Sequence, residues 1–107
     1  AMTTICQILG PRGGGIWRFE DSAGRSVGNG ISFMLPYVQH KNLWPYGKDV
    51  MYWDEWPMAH PFLLFAAAAY GREDYFRLWE RLPHGSEVEE VLRNLPVRHP
   101  EIWMVNI

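Results

Sequence analysis

Cysteine is nearly absent from this sequence of 107 residues: the single Cys6 cannot form an internal disulfide. The four histidines stand at positions 40, 60, 84 and 99, without the spacing of a helical zinc site and without a neighbouring cysteine pair. We therefore expect neither a metal ion nor another cofactor. We interpret Cys6 as a small buried apolar residue.

An excess of charge of one sign and a long apolar run are also missing. Ten basic and twelve acidic residues are intermixed and give a formal net charge of −2, so no basic face is available for a phosphate backbone. The longest strongly apolar run, residues 61–70, has about half of the roughly 20 residues that a membrane-spanning helix needs. We therefore expect neither a nucleic-acid nor a membrane partner. The first residues show no secretory signal pattern, and the compartment stays open.

Aromatic residues are plentiful instead: six Trp, five Tyr and five Phe make up 15% of the chain. Together with 48% hydrophobic residues they predict one folded domain over residues 1–107. They concentrate, with prolines, in residues 44–46 and 52–57. Trp and Tyr combine a flat apolar face with a polar edge, which suits both packing between helices and stacking on a sugar ring.

Two central segments have helical patterns. Apolar residues recur at helical spacing over residues 27–38, behind Ser26 as a plausible N-cap, and Pro36 predicts a kink or an early end. Residues 61–70 begin with a proline suited to a first turn and are apolar all round. Such a helix must lie at the centre of the domain or be covered by something larger.

Shorter elements are predicted around these two helices. Residues 39–48 predict a loop, and residues 49–56 predict a single turn or short helix. Residues 73–82 predict an amphipathic helix. Ser86 and Glu89 fit a capping box before a last helix. The apolar stripe of the amphipathic helix is expected to comprise Tyr75, Phe76, Trp79 and Leu82.

The two ends of the chain are expected to differ from this helical pattern. Residues 3–9 are apolar and partly β-branched and precede the turn signal Gly10-Pro11, so we expect residues 1–16 to form an irregular or short β N-terminal arm. Pro96 and Pro100 predict an extended tail. The expected fold class is therefore all-α, built from successive helical hairpins, with this arm at the N-terminus.

The aromatic segments supply candidate binding residues. Trp53 and Trp56 lie three residues apart and can share a helical face, with Trp44 and Tyr46 supplied by the preceding loop. Two interpretations stay open: the rings pack helices together, or they form a sugar-stacking surface. His40 lies near them and is the histidine whose neighbourhood resembles a polar binding rim.

Two carboxylate dipeptides invite comparison with glycoside hydrolases, Glu20-Asp21 and Asp54-Glu55. Hydrolysis needs an acid and an ionised partner on opposite sides of the scissile bond. Adjacent residues on a short helix point in different directions, so neither dipeptide forms such a pair by itself. We interpret both as loop or helix-start residues, and an independent hydrolase using Asp54 or Glu55 stays as an alternative.

Five short sequence segments are informative because of the order in which they follow one another: residues 20–26, 33–37, 44–46, 56–58 and 61–66. The ordered set resembles the C-terminal part of the alginate-lyase superfamily, from about Trp17 to Trp103. The resemblance implies helical hairpins like those of an (α/α) toroid over residues 17–107. It also implies a relationship to polysaccharide lyases, which cleave polyuronates by β-elimination and are usually periplasmic or secreted. The implied partner is an acidic polysaccharide.

One departure from that superfamily bears on activity. Such lyases use an Asn-His pair on an earlier helix, and no Asn-His dipeptide occurs in this sequence. We therefore assign no catalytic residue and expect a lyase-like C-terminal segment, inactive alone, with at most weak carbohydrate binding.

Candidate substrate contacts follow from the resemblance. Arg25 could meet a uronate carboxylate with paired donors, and an ion pair with Glu20 or Asp21 is the alternative. Tyr46, Tyr52 and His40 are the candidates for a tuned base in an intact relative. The expected substrate-binding residues are Arg25, His40, Trp44, Tyr46, Tyr52 and Trp53. The competing function is a non-catalytic helical interaction domain that forms a homo-oligomer through exposed apolar helix surface.

Overall fold

The computed structural model describes residues 2–9, 15–48, 51–95, 97 and 99–104. Within these residues the chain is helical and contains no β-strand, which confirms the expected all-α class. The α-helices are α1 (Met2–Leu9), α2 (Gly15–Arg18), α3 (Val27–Gln39), α4 (Pro61–Tyr70), α5 (Glu73–Arg81) and α6 (Glu89–Arg93). Short 3₁₀ helices cover Lys41–Leu43, Trp53–Glu55 and Pro100–Met104.

Helix α4 lies at the centre of the core. Leu63, Phe65 and Ala66 are completely buried, because α1, α5 and the 3₁₀ helix Pro100–Met104 all pack on α4. A helix without a polar face needs cover on most sides, and these three elements supply it. The first of the two alternatives for residues 61–70 is therefore correct.

Local signals set both ends of α4. Pro61 occupies the first turn after His60, where its missing N–H removes no helical hydrogen bond. Gly71 ends the helix in the left-handed conformation, at φ 63°, and its N–H donates to the carbonyl of Ala67. Both predicted boundaries are confirmed.

Helix α3 begins as predicted and runs further. The Ser26 hydroxyl accepts the N–H of Asn29 at 3.1 Å, which confirms the N-cap. The early end at Pro36 is wrong, since the helix continues to Gln39. Pro36 lacks the N–H that would bind the Ser32 carbonyl, and both residues are exposed, so this loss occurs at the surface of the helix.

Tyr70 joins α2, α3 and α4. Its hydroxyl donates to the carbonyl of Trp17 at 2.6 Å, and the two rings meet edge to face with centroids 5.5 Å apart. A Cβ added at Gly28 would lie 3.3 Å from the Tyr70 hydroxyl. Helix α3 therefore lies close to the Tyr70 side chain at Gly28.

Helix α5 is amphipathic, and its buried stripe differs from the prediction. Tyr75 and Leu78 are 3% exposed, whereas Phe76 is 39% exposed. Residues three apart share a helix face, so the stripe that meets α4 passes through Tyr75 and Leu78 and leaves Phe76 to one side. Leu78 was missing from the predicted stripe.

The prediction for the N-terminal arm is wrong over residues 2–9. Residues 2–9 form helix α1 rather than an irregular or β segment, because Thr3 and Cys6 fall on one helical face and are buried in the domain. The burial of Cys6 confirms its interpretation as a core residue. The turn signal at residues 10–11 lies outside the described residues.

The C-terminal region brings two more corrections. Helix α6 begins after Val88, so Ser86 is not its N-cap; the Ser86 hydroxyl instead accepts the Val88 N–H at 3.0 Å. Residues Pro100–Met104 form a 3₁₀ helix instead of an extended tail. The Trp103 ring lies 6.2 Å from the ring of Phe65, so this segment packs on the core. Pro96 lies outside the described residues.

Candidate functional site

A large cleft lies beside α3, at the side where residues 51–58 and the start of α4 meet this helix. Its volume is about 1170 Å³, and it is lined mainly by apolar side chains from α1, α3, α4, α6 and residues 51–58. We call it the aromatic cleft. Its aromatic residues are Tyr37, Trp44, Tyr52, Trp53, Trp56 and Phe62.

The cleft gathers half of the binding residues expected from the sequence. Trp44, Tyr52 and Trp53 line it. Tyr46 is not among its lining residues, although its ring packs edge to face on Trp44 with centroids 5.2 Å apart. His40 is exposed, ends α3 and also lies outside the lining. The roles of Tyr46 and His40 in binding stay predictions.

Arg25 lies away from the cleft and has a partner. Its Nε donates to Asp21 Oδ2 at 2.6 Å while the side chain is 82% exposed. The backbone N–H of Arg25, and after it the side chain, hold the pKa of Asp21 below its usual range. Of the two interpretations offered for Arg25, the structure shows the ion pair with Asp21.

Trp44 is one of the aromatic residues that line the cleft. Its ring is held edge to face between Tyr37, at 5.1 Å, and Tyr46. Such contacts fix the orientation of a ring beyond what its burial alone provides. The Trp44 indole Nε1 is buried and has no hydrogen-bond partner among the described residues.

Lys41 connects two parts of the cleft. Its Nζ donates to the carbonyls of Trp53 and Trp56, at 2.9 and 2.8 Å, and lies 5.5 Å from the centroid of the Trp53 ring. Sequence reasoning missed Lys41 as well as Tyr37. The only sequence signal was their place in and beside the aromatic loop.

Tyr52 has an unusual backbone conformation. It is the positive-φ non-glycine residue in the described part of the chain, at φ 58° and ψ 43°, and its side chain is 46% exposed. Bulky residues rarely adopt the left-handed region, and such strain tends to occur where it places a functional side chain. The Tyr52 carbonyl accepts the N–H of Glu55 at 2.9 Å and closes the following 3₁₀ turn.

His60 borders the cleft at the start of α4. Its ring lies between Trp56, at 5.3 Å, and Phe62, at 6.0 Å. Burial lowers the pKa of His60 below its ordinary value of 6.5. The imidazole is therefore neutral at neutral pH and extends the apolar wall.

Among the residues that the structure describes, the carboxylates near the cleft do not form an acid and base pair. Glu90 is the carboxylate among the residues that line it, and the Arg93 side chain lowers the pKa of Glu90, so this group is held ionised. Asp54 and Glu55 are exposed, and Glu55 accepts a hydrogen bond from Ser86 at 2.9 Å. An ionised carboxylate cannot donate a proton, so Glu90 is not set up as a general acid.

Two further properties concern only the part of the chain that the structure describes. No group of three His, Cys, Asp or Glu side chains there is arranged to hold a metal ion. None of its helices is long and apolar enough to cross a membrane.

Comparison with known proteins assigns no family to the chain. Neither protein-family models, nor curated proteins, nor solved structures give a significant match. The similarity to the C-terminal part of the alginate-lyase superfamily rests on the sequence motifs alone. The aromatic cleft is therefore interpreted from its own geometry.

Proposed function

We propose that this chain is a carbohydrate-binding segment of the polyuronate-lyase type, without turnover of its own, and that sugar rings stack in the aromatic cleft. One observation carries the proposal. Trp44, Tyr52 and Trp53 are expected from the sequence to contact sugar, and all three line a single cleft. Trp44 belongs to the loop after α3, whereas Tyr52 and Trp53 belong to the turn of the 3₁₀ helix Trp53–Glu55.

The size and the lining of the cleft support a ligand of this kind. Its volume of about 1170 Å³ slightly exceeds the range of about 300–1,000 Å³ usual for small-molecule sites. Aromatic faces stack on the apolar face of a sugar, while a few polar groups at the border fix its orientation. Lys41, Glu90 and Asn94 are polar residues of this lining.

We expect no turnover because the sequence lacks the Asn-His pair used by the lyases that it resembles. Elimination on a uronate needs a group that neutralises the carboxylate, a base for the C5 proton and an acid for the leaving oxygen. Glu90 is ionised, and Arg25 lies outside the cleft with Asp21 as its partner. Because the Asn-His pair is missing and an ionised Glu90 cannot donate a proton to the leaving oxygen, we expect ligand binding without formation of the unsaturated product.

Titration of the chain with oligouronates, followed by calorimetry, tests the proposal. A neutral oligosaccharide of equal length shows how much of the affinity depends on the carboxylates. Replacing Trp44 with alanine should weaken binding about tenfold, or ~1.4 kcal/mol. Trp103→Ala is the matched control, because Trp103 lies outside the cleft. Failure of the wild-type chain to bind either sugar, or ultraviolet absorbance from unsaturated product, would contradict the proposal.

A second candidate function is homodimerisation through α1. Met2, Ile5, Ile8 and Leu9 are between 42% and 64% exposed along this helix. The sequence of α1 carries no charged residue, so two copies can pack on a twofold axis without like charges meeting. Light scattering after size exclusion should then give a dimer, and Ile8→Glu should give a monomer. A monomeric wild-type chain would rule this function out.

A further inference from the structure

We infer that Lys41 is the positioning residue of the aromatic cleft: its ammonium group holds residues 51–57 against the end of α3, so that both aromatic walls face one ligand. The inference rests on the proposed function, because it assigns a role within the same cleft. Lys41 acts here through Trp53 and Trp56, whose carbonyls it binds.

The two walls of the cleft come from different segments of the chain. Trp44 stands on the segment that follows α3, while Trp53 and Trp56 stand in and after a three-residue 3₁₀ helix. Among the hydrogen bonds of the described residues, the two from the Lys41 ammonium are the ones that join residues 51–57 to residues 39–48. The spacing of the walls therefore depends on Lys41.

The geometry of Lys41 suits this role. Its side chain is partly buried, and leaving an ammonium group there without acceptors would be unfavourable. Two carbonyl acceptors and the face of Trp53 at 5.5 Å stabilise the charge. The Trp53 carbonyl also accepts the N–H of Trp56 at 3.2 Å, so Lys41 binds directly to the turn that sets the direction of both indoles.

Other contacts of this segment face a different part of the domain. Glu55 accepts a hydrogen bond from Ser86, and the Ala59 N–H donates to the Pro83 carbonyl at 2.8 Å. The Glu55 contact ties the segment itself to the region after α5, and the Ala59 contact ties the chain just after the segment to the same region. Loss of Lys41 should therefore leave residues 51–57 attached at one side and free to move relative to Trp44.

Hydrogen exchange on the full chain, without ligand, tests the positioning role directly. Lys41→Met keeps the apolar stem and removes the donors, so exchange of the Glu55 and Trp56 N–H groups should accelerate about tenfold. The N–H of Leu64, inside α4, should exchange as in the wild type. Lys48→Met is the matched control, because Lys48 is exposed and lies outside the cleft lining.

Oligouronate affinity supplies the second readout. Lys41→Met should bind about tenfold more weakly, and Lys41→Arg, which keeps the donors, should recover part of the loss. If Lys41→Met does not fold, Lys41→Gln replaces it, with a smaller acceleration expected because an amide keeps two N–H donors.

Each other outcome is decisive. Unchanged exchange at Trp56, or faster exchange that extends equally to Leu64, would overturn the positioning role. Faster exchange at Trp56 with unchanged oligouronate affinity would overturn it too, since the placement of the segment would not matter to the ligand. A wild-type chain that binds no sugar contradicts the proposed function instead, and the exchange experiment still decides whether Lys41 holds the segment.

Discussion

Helix α4 and residues 51–57 are both rich in apolar side chains, and the structure uses them in opposite ways. In α4, Leu63, Phe65 and Ala66 are completely buried. In residues 51–57, by contrast, Met51 is 74% and Tyr52 46% exposed. The first segment is held by burial of its own side chains, whereas the second receives hydrogen bonds on its backbone from Lys41 and on its Glu55 carboxylate from Ser86.

This contrast explains how a small domain can keep aromatic faces open to a ligand. Side chains that stabilise the fold by burial are unavailable for binding. A segment whose position depends on polar contacts to the backbone can present its rings to solvent instead. The stability of the fold and the geometry of the aromatic cleft should therefore respond to different substitutions.

Phe65→Ala should have the largest effect, because it removes a completely buried ring at the centre of the core. We expect a loss of about 3–5 kcal/mol in the free energy of unfolding, measured by urea denaturation. Phe33→Ala is the matched control: Phe33 is 58% exposed, and its loss should change stability by about 0.5 kcal/mol or less. Equal losses from the two substitutions would refute the placement of the core.

Tyr52→Asn should separate stability from binding. Asparagine adopts the left-handed conformation more readily than tyrosine, so relief of the strain should raise the free energy of unfolding by up to about 1 kcal/mol. The same change removes a ring from the cleft and should weaken oligouronate binding. Tyr46→Asn, at a neighbouring exposed residue without positive φ, should give no such gain. A destabilised Tyr52→Asn variant would show that the ring contributes to the fold.

His60 should make stability depend on pH, because its pKa is lowered in the folded chain. Above the ordinary histidine pKa of about 6.5 both states are neutral and stability is at its full value. As the pH falls below that value, the unfolded chain binds the proton first, and stability decreases until the lowered pKa is passed. A positive charge at the start of α4 would also oppose the helix dipole.

Urea midpoints measured across this pH range check the His60 prediction. His60→Gln should remove part of the acid-induced loss. The exposed His40 offers the matched control, since His40→Gln should retain the loss. A His60→Gln variant with the full wild-type pH dependence would assign the effect to other groups.

The parts of the fold that the sequence predicted depend on local rules. The Ser26 cap, the start of α4 at Pro61 and its end at Gly71 each follow from the chemistry of one residue and its neighbours. Helix α1 was predicted wrongly because its helical conformation depends on burying Thr3 and Cys6, and a segment of eight residues has little helical preference by itself.

The candidate site divides in the same way. The aromatic segments pointed to Trp44 and Trp53, because Trp suits sugar stacking, and the resemblance to polyuronate lyases added Tyr52. Lys41 could not be found from its neighbours, since its acceptors lie 12 and 15 residues further along the chain. Contacts between residues so far apart in the chain depend on the fold, and the periodicity of the sequence does not predict them.

The smallest effect is expected at Arg25, where the ion pair and a ligand contact make different predictions. Arg25→Ala should leave oligouronate affinity unchanged, because the side chain lies outside the aromatic cleft and meets Asp21. The pKa of Asp21 should stay low, since its first cause is the Arg25 backbone N–H, which alanine keeps. The stability that Asp21 contributes is present above its ordinary pKa and is lost as the pH falls through the lowered value. Calorimetry checks the affinity, and titration of the Asp21 carboxyl carbon by NMR checks its pKa. Weaker sugar binding by Arg25→Ala would identify Arg25 as a ligand contact after all.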